Sequence, residues 1–333
     1  MELINQDHTD KLLKLVSRSF ALCIPRLPKK IRSEVGNFYL LCRYADSIED
    51  SKFDQKQKKH YFRLFKRVIK NEDFVQLRQL GAEILPHILS ENDRTMVSDF
   101  DKVLGQYSKF DQKSKDIALH WLSEMMKGML KYSRKEIKNF FELDNYCYYV
   151  AGTVGHYGTE ILDHKFELNC YDELLARAKD FGLLLQKVNI IRDFAKDYKE
   201  GRVFWPKELF EKHNIKVNEV FLPENKEKSN LILTEMVQSA EENLKSSIEY
   251  VEKLPPEVRA VCAIPLYMAI PTLLKCYGNE EVFDMHKKVK LSRTETFKIL
   301  ATIDTRNGST DFFRQFASEL NNEYNSSMHL KIA

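Results

Sequence analysis

Apolar residues recur at intervals of three and four along almost the whole chain, and few residues interrupt this pattern. Such spacing places apolar side chains on one face of an α-helix, whereas a strand would require alternation, which we do not find. The 333 residues include only 11 glycines and 9 prolines, so breaks between helices are rare. The sequence therefore predicts an all-α protein with long helices.

The periodicity and its breaks together predict the positions of the helices. Pro25 and Pro28 end the first helix, and Gly201 and Pro206 follow the seventh. No Gly/Ser-rich linker, composition shift or repeat divides the chain, so we expect a single domain over residues 1–333. The predicted helices cover residues 8–22, 30–50, 54–71, 95–108, 113–133, 145–163, 172–199, 227–252, 256–277 and 294–320.

Charge, cysteines and hydropathy narrow the class of function. A net charge of +3 is too balanced to indicate a nucleic-acid partner. The six cysteines contain no CxxC pair, and neither a P-loop nor a GxGxxG sequence occurs. The most apolar stretch, residues 260–274, contains Pro265 and Pro271 and is too short to cross a bilayer. We expect a cytoplasmic protein without a transmembrane segment, and leave a peripheral contact with the inner membrane surface open.

One segment, residues 52–70, is strongly basic. It carries eight Lys or Arg beside an apolar stripe that includes Phe62 and Phe65. A basic amphipathic helix of this kind can lie on an anionic membrane surface. More often it is a surface helix with a solvated charged face, and this is the interpretation we favour.

A first carboxylate cluster lies in the run RYADSIEDS. Asp46, Glu49 and Asp50 are spaced at i, i+3 and i+4, which places all three on one face of a helix. Arg43 lies one turn earlier on that face, and the run FYLLCRYA before the cluster is almost wholly apolar. Several carboxylates close together at the end of a buried helix raise the free energy of the folded state unless a cation lies beside them.

A second cluster lies in the run LLLQKVNIIRDFAKDYKEGR. Asn189, Asp193 and Asp197 are spaced by four, Gln186 is close to the same line, and Arg192 adjoins it. Two buried helices that each present oxygen ligands would suit hard divalent cations such as Mg²⁺, with Mn²⁺ as a substitute. Together the clusters predict metal-bound diphosphate chemistry.

Three glycines, Gly152, Gly155 and Gly158, are spaced by three within a helical segment. Each costs helix stability relative to alanine, by about 1 kcal/mol. They could let another helix approach closely or leave room for a ligand, and the sequence leaves both interpretations open.

Five stretches of the chain resemble the squalene/phytoene synthase family in their order and spacing. The second and fourth are aspartate-rich motifs, and the third and fifth are most similar to the squalene-forming branch of the family. The stretches are SRSFALCIPRLP (17–28), FYLLCRYADSIED (38–50), YCYYVAGTVG (146–155), LLLQKVNIIRDFAKDYKEGRVFWP (183–206) and CAIPLYMAIPTLLKCY (262–277).

The resemblance implies an isoprenoid synthase fold, a helical bundle around a central cavity with two facing aspartate-rich helices. It implies head-to-head condensation of two farnesyl diphosphates to presqualene diphosphate, and then an NADPH-dependent reductive rearrangement to squalene. The implied cofactors are Mg²⁺ and NADPH. Farnesyl diphosphate is the expected partner, with no nucleic acid. A monomer is favoured, and a peripheral membrane contact for product release is left open.

The resemblance also assigns roles to individual residues. Tyr146 matches a tyrosine that transfers a proton in the first half-reaction. Lys290 and Arg293 partly match a basic stretch near the nicotinamide cofactor. The implied metal ligands are Asp46, Glu49, Asp50, Asn189, Asp193 and Asp197. The implied substrate-binding residues are Arg18, Phe20, Arg43, Tyr149, Gln186, Asn189, Arg192 and Arg202. The catalytic set would be Tyr146, Arg43, Asp46, Asp50, Asp193 and Asp197.

Two departures from the family pattern bear on the second half-reaction. Lys196 stands where the second motif usually has Glu, and Val261 stands where animal members of the squalene-forming branch carry a Phe linked to that step. One alternative is therefore a synthase of the same fold that stops at presqualene diphosphate, or makes a dehydrosqualene- or phytoene-type product without NADPH. Another is a non-catalytic scaffold, against which the intact aspartates argue.

Overall fold

A computed structural model of the protein describes residues 2–17, 19–133 and 135–305, together with residues 315 and 318. These residues form α-helices and no β-strand, which confirms the all-α prediction. Short 3₁₀ helices lie at Ile24–Arg26, Leu85–His87, Val217–Phe221, Pro223–Asn225 and Glu280–Phe283, and a π-helix lies at Tyr148–Gly152. The α-helices are α1 (Glu2–Val16), α2 (Phe20–Cys23), α3 (Lys29–Glu49), α4 (Gln55–Asn71), α5 (Phe74–Ile84), α6 (Glu91–Ser98), α7 (Phe100–Tyr107), α8 (Gln112–Tyr132), α9 (Phe140–Cys147), α10 (Thr153–Phe166), α11 (Tyr171–Arg192), α12 (Phe194–Lys199), α13 (Lys207–Lys212), α14 (Lys226–Glu241), α15 (Leu244–Lys253), α16 (Pro256–Cys276) and α17 (Arg293–Thr305).

The chain forms two compact units. Unit 1 takes its described residues from 1–133 and 156–171, and unit 2 takes them from 134–155 and 172–333. The expectation of a single domain over residues 1–333 stays a prediction. The first carboxylate cluster belongs to unit 1, whereas the second cluster and Tyr146 belong to unit 2.

The core of unit 1 is built around α3. This helix packs against α1, α4, α7 and α8. Its Tyr44 is fully buried, and the ring centroid of Tyr44 lies 4.3 Å from that of Phe65 in α4 and 4.4 Å from that of Phe100 in α7. Aromatic pairs at these distances add to the hydrophobic stabilisation of a core. Residues 36–48 of α3 are mostly buried, so the carboxyl half of this helix reaches solvent only along a narrow face.

The most apolar helix of unit 2 is α16, which continues through Pro265 and Pro271. The helix predicted over residues 256–277 is therefore confirmed, and the two prolines do not end it, because burial of this helix outweighs the backbone hydrogen bonds that proline cannot donate. By length and composition α16 is the one helix of the described residues that could cross a membrane. Since 72% of its apolar window is buried within the structure, it has the character of a core helix.

Several predicted helices are present but broken. The predicted helix 95–108 is divided at Asp99, the helix 172–199 at Asp193, and the helix 227–252 at Glu242 and Asn243. Periodicity did not reveal these breaks because the apolar stripe continues across each of them. The helix α5 was not predicted, and the predicted helix 294–320 is described chiefly as α17.

The glycines around the π-helix allow close packing within unit 2. A Cβ atom on Gly155 would overlap the carbonyl oxygen of Ala178 in α11. A Cβ atom on Gly182 would lie 2.6 Å from the carbonyl oxygen of Ala151. At Gly158, by contrast, a Cβ would meet nothing within 4 Å. Of the two interpretations left open by the sequence, close packing therefore holds at Gly155 and does not apply at Gly158.

This difference predicts opposite effects for the same substitution at two positions of α10. Gly155→Ala should lower the free energy of unfolding by about 1–3 kcal/mol, because a rigid backbone atom must move. Gly158→Ala should raise it by up to about 1 kcal/mol, because alanine favours the helix. Urea unfolding of both variants tests this, and equal effects at the two positions would contradict the packing described here.

Candidate active site

The carboxyl end of α3 exposes one narrow face. Among residues 43–50, the only side chains that are not buried are those of Arg43, Asp46, Glu49 and Asp50. The spacing in the sequence predicted that the three acids share a face, and the structure confirms this. Buried residues between them, including Tyr44 and Ile48, fix the rotation of the helix.

Arg43 is held beside this face by Asp93 of α6. Its Nε and Nη2 atoms donate to the two carboxylate oxygens of Asp93 at 2.9 and 2.8 Å, while its Nη1 lies 3.5 Å from Oδ2 of Asp46. A two-point pair of this kind orients a guanidinium strongly. The sequence analysis missed Asp93 because nothing in its local pattern sets it apart from other surface acids.

The carboxyl group of Asp46 has an unusual proton affinity. Burial raises its pKa, Arg43 opposes this, and the nearby carboxylates of Asp50 and Asp93 raise it again, to about 7. A group with this pKa gives up its proton readily when a further positive charge arrives. This property suits a carboxylate that acquires a cation only on ligand binding.

Two predicted substrate-binding residues precede α3 in the sequence. The ring of Phe20 lies 5.1 Å from the ring of Tyr39, which is one turn before Arg43 on α3. Phe20 is thus placed beside the helix that carries the first cluster. Arg18 lies outside the described residues, and its predicted role stays a prediction.

The second cluster lies on α11 and α12. The side chains on its line reach solvent, whereas Ile190, Ile191, Phe194 and Ala195 between them are buried. The predicted shared face is therefore present, although the helix is interrupted at Asp193. The accessible residues on this line are Gln186, Asn189, Asp193 and Asp197.

Asp193 is paired with two cations. Arg192 donates from Nε and Nη2 to its two oxygens at 3.1 and 2.6 Å, and Nζ of Lys288 lies 2.7 Å from Oδ1. Burial alone would raise the pKa of Asp193, but Arg192 and Lys288 together lower it below the usual value. Asp193 is therefore ionised, and the positive charges of Arg192 and Lys288 balance its negative charge.

Asp197 is paired with an arginine that a tight turn brings back toward it. Gly201 has φ +77°, a left-handed conformation that favours glycine, and the following Arg202 N–H donates to the carbonyl of Asp197 at 2.8 Å. Nη2 of Arg202 lies 3.4 Å from Oδ1 of Asp197. Burial raises the pKa of Asp197 to about 6, although Arg202 opposes this. Lys196, one of the two departures from the family pattern, lies 3.5 Å from Glu200.

Tyr146 is connected to Arg202 through a phenylalanine. The Tyr146 ring is buried and stacks on Phe204, with 4.8 Å between centroids and 13° between planes. The guanidinium carbon of Arg202 lies 5.9 Å from the centroid of the Phe204 ring, a distance typical of a cation–π contact. Phe204 was missed by the sequence analysis, although its place two residues after Arg202 in RVFWP could have indicated it.

The segment after Tyr146 is a π-helix that contains Tyr149. Wide turns of this type are frequent at functional sites. The ring centroids of Tyr148 and Tyr149 lie 5.4 Å apart, and both side chains are half-buried. The structure therefore places Tyr149 in irregular backbone that follows directly on the helix of Tyr146.

A buried lysine joins the helix of Tyr146 to the second cluster. Nζ of Lys187, in α11, lies 2.7 Å from the carboxylate of Asp144 in α9 and donates to the Ser239 carbonyl at 2.9 Å and to Asn243 at 3.0 Å. The lysine is 1% exposed, and a buried ammonium is stable only when partnered in this way. Lys187 thus fixes Asp144, two residues before Tyr146, relative to the helix of Gln186 and Asn189.

The predicted cofactor residues Lys290 and Arg293 are both exposed. Arg293 begins α17, and Lys290 lies in the connection before it. The residue of this stretch that reaches the second cluster is instead Lys288, through its ion pair with Asp193. Val261, the other departure from the family pattern, is buried in α16.

The donor atoms in both clusters fit a hard divalent cation. They are carboxylate and amide oxygens, the ligands that Mg²⁺ prefers. Among the described residues, no three acidic, His or Cys side chains already converge as a metal cage would require. In each cluster a cation of the protein is paired with a carboxylate instead, as Arg43 is with Asp46 and Lys288 with Asp193.

Comparison with known proteins places this site in a family. The sequence profile of the squalene/phytoene synthase family matches residues 13–295. The squalene synthases of Cyberlindnera jadinii, Schizosaccharomyces pombe and Homo sapiens are 30%, 32% and 32% identical over 94%, 91% and 88% of this chain. The chain spans 70%, 66% and 68% of their lengths, or about two thirds.

Solved structures agree with the sequence comparison. The structure of TcSQS in complex with the ligand BPH1237 superposes with a TM-score of 0.86 at 27% identity, over 99% of this chain and 94% of that one. A dehydrosqualene synthase superposes with a TM-score of 0.61 at 20% identity, over 91% of this chain and 96% of that one, which shows the shared fold.

The chain belongs to the squalene/phytoene synthase family, a family of enzymes. This confirms the predicted family, the isoprenoid synthase fold and the prediction that the protein is an enzyme.

The pairs around Asp193 predict opposite effects of two substitutions on metal binding. Lys288→Met should tighten Mn²⁺ binding by about two- to fivefold, because a competing exposed cation is lost. Asp193→Asn should weaken it by about tenfold or more, because an oxygen ligand loses its charge. Lys287→Met is the matched control, since Lys287 pairs with Glu281 instead.

The measurement is titration of the protein with Mn²⁺, followed by electron paramagnetic resonance of the unbound ion. This readout does not depend on turnover. Unchanged binding in Asp193→Asn would remove this residue from the metal site, and unchanged binding in Lys288→Met would show that Lys288 does not compete with the metal.

Proposed function

We propose that this chain joins two farnesyl diphosphates head to head to form presqualene diphosphate, and converts this intermediate to squalene with NADPH. The observation that carries the proposal is the pair of arginine-flanked carboxylate clusters, in a chain whose relatives over about nine tenths of its length are squalene synthases. Mg²⁺, with Mn²⁺ as a substitute, and NADPH are the proposed cofactors.

Diphosphate departs from an allylic carbon only when its charge is neutralised. Bound Mg²⁺ would supply part of this neutralisation. The ligands would be Asp46, Glu49 and Asp50 in the first cluster and Asn189, Asp193 and Asp197 in the second. Asp46, with a pKa of about 7, would lose its remaining proton when the cation binds, whereas Asp197, with a pKa of about 6, is mostly ionised near neutral pH.

The arginines beside the carboxylates supply the remaining positive charge. The fork of a guanidinium matches two phosphate oxygens at once. Asp93 already orients Arg43. Glu200 also orients Arg202, with 2.6 Å between Nη2 of Arg202 and Oε2 of Glu200. Arg192 is held by Asp193 and would exchange this partner for a diphosphate oxygen when a metal ion takes the carboxylate. Arg18 and Gln186 would complete the substrate contacts.

Closure of the cyclopropane ring releases a proton, and we assign its transfer to Tyr146. Stacking on Phe204 holds the Tyr146 ring, and the Lys187–Asp144 pair holds its helix. A fixed hydroxyl can pass a proton without reorganisation of its surroundings. The aromatic faces of Tyr146, Tyr149 and Phe20 would also stabilise cationic intermediates and exclude water.

The assignment predicts that Tyr146→Phe lowers the rate of presqualene diphosphate formation by about 10²–10⁴-fold and leaves substrate binding unchanged. Tyr148→Phe, two residues further on, is the matched control and should remain close to wild type. Single-turnover assays with radiolabelled farnesyl diphosphate measure the rate, and equilibrium dialysis measures binding. A Tyr146→Phe rate within about twofold of wild type would show that this side chain only packs and transfers no proton.

The second half-reaction requires a hydride donor, which NADPH supplies when bound. Lys290 and Arg293 are exposed cations in one stretch and would meet the phosphates of the cofactor. The buried Val261 offers no aromatic face, so another aromatic side chain must stabilise the second cation.

The proposal predicts that NADPH decides the final product. With farnesyl diphosphate, Mg²⁺ and NADPH, the protein should form squalene. Without NADPH, presqualene diphosphate should accumulate because its cation has no hydride to accept. Gas chromatography with mass spectrometry of extracted products, after phosphatase treatment of the diphosphates, distinguishes these outcomes. Identical products with and without NADPH would favour a synthase that stops earlier or makes a dehydrosqualene-type product.

A further inference from the structure

The exposed side of α4 carries a continuous line of positive charge. Lys56, Lys59, Arg63, Lys66 and Lys70 are spaced by three, four, three and four, and all five are exposed. At 1.5 Å per residue this line is about 21 Å long, and it occupies less than a quarter of the helix circumference. Neither the active site nor the fold requires these side chains.

No ion pair with a described residue neutralises this line. None of its five cations has a carboxylate oxygen of a described residue within 4.0 Å. The sequence of α4 from Gln55 to Asn71 contains no acidic residue, and Asp54 before it is used to cap the helix, accepting from the Gln57 N–H at 2.8 Å. Like charges spaced by three and four destabilise a helix, so an external anion would relieve a repulsion already present.

The other side of α4 is committed to the core of unit 1. Phe62, Phe65, Val68 and Ile69 are 5% exposed or less, and Phe65 stacks on Tyr44. The helix therefore cannot roll over and insert these side chains into lipid. Any contact through the basic line must be electrostatic and superficial.

We propose that the basic line of α4 docks the protein on anionic lipid headgroups of a bilayer. A straight line of cations within a narrow sector of one helix can approach a planar surface with all its members together. The whole chain has a net charge of +3, so the residues outside these five cations are nearly balanced at −2, which concentrates the attraction at this helix. The apolar product supplies a further reason, which rests on the proposed function: squalene dissolves in a bilayer and not in water.

The test is sedimentation of the full chain with lipid vesicles, which measures no turnover and so is independent of the proposed reaction. Wild type should bind vesicles containing about a third phosphatidylglycerol at low salt, and should not bind vesicles of phosphatidylcholine alone. Salt near 1 M, where the Debye length is about 3 Å, should release all the protein.

The variant Lys56→Gln/Lys59→Gln/Lys66→Gln should bind anionic vesicles on the order of a hundredfold more weakly, since each cation near such a surface contributes roughly fivefold. The matched control is Lys113→Gln/Lys179→Gln/Lys245→Gln. These three lysines are also exposed and without a described carboxylate partner, but they lie on three different helices. The control has the same net charge as the variant and should bind like wild type.

Loss of binding through misfolding is separable, because removal of like charges should leave the thermal unfolding temperature unchanged or raise it. Three results would overturn the proposal: equal binding by the variant and its control, binding that survives high salt, or no binding to anionic vesicles. The proposal would also be overturned if the same lysines bound a single-stranded RNA more strongly than vesicles. That result would assign the basic line to nucleic-acid binding.

Discussion

Carboxylates on a largely buried helix need a cation nearby to offset the loss of hydration. Both carboxylate clusters of this protein have such cations beside them. The helix α3 is covered on most sides, and its open face ends in Asp46, Glu49 and Asp50. Arg43 approaches Asp46, while Arg192 and Lys288 neutralise Asp193. Because these cations belong to the protein, each cluster is stable before a metal or a diphosphate arrives. In the proposed reaction, the same arginines would then serve as donors for a diphosphate.

Residues outside the two carboxylate clusters hold the arginine, lysine and tyrosine side chains of the site in position. Asp93 holds Arg43 from a separate helix, and Lys187 spans from α11 to Asp144 of α9. Tyr146 is positioned by its stack on Phe204, which in turn lies beneath Arg202. A hydroxyl, a guanidinium and a carboxylate are therefore linked through contacts within unit 2. Such linkage restricts rotamers, and fixed geometry is what acid–base and electrostatic catalysis require.

Much of this could be predicted because helix periodicity is a local property. The all-α fold, the shared face of Asp46 and Asp50, and the line from Asn189 to Asp197 all follow from spacings of three and four. The breaks at Asp99 and Asp193 could not be predicted in this way, because the apolar stripe runs across them. The helix over residues 256–277, by contrast, was predicted from the sequence, and burial of α16 explains why it continues through its prolines.

The sequence by itself determined the helical class, the two carboxylate lines and the basic line of α4, because each is carried by residues close together in the chain. It also determined the family, through the order and spacing of five short stretches. Only the tertiary structure decided which partner each charged group has. Asp93 lies fifty residues from Arg43, and Lys288 lies ninety-five residues from Asp193. Pairing over such separations depends on how helices pack, and that packing is set by the whole core and not by the residues that form the pair.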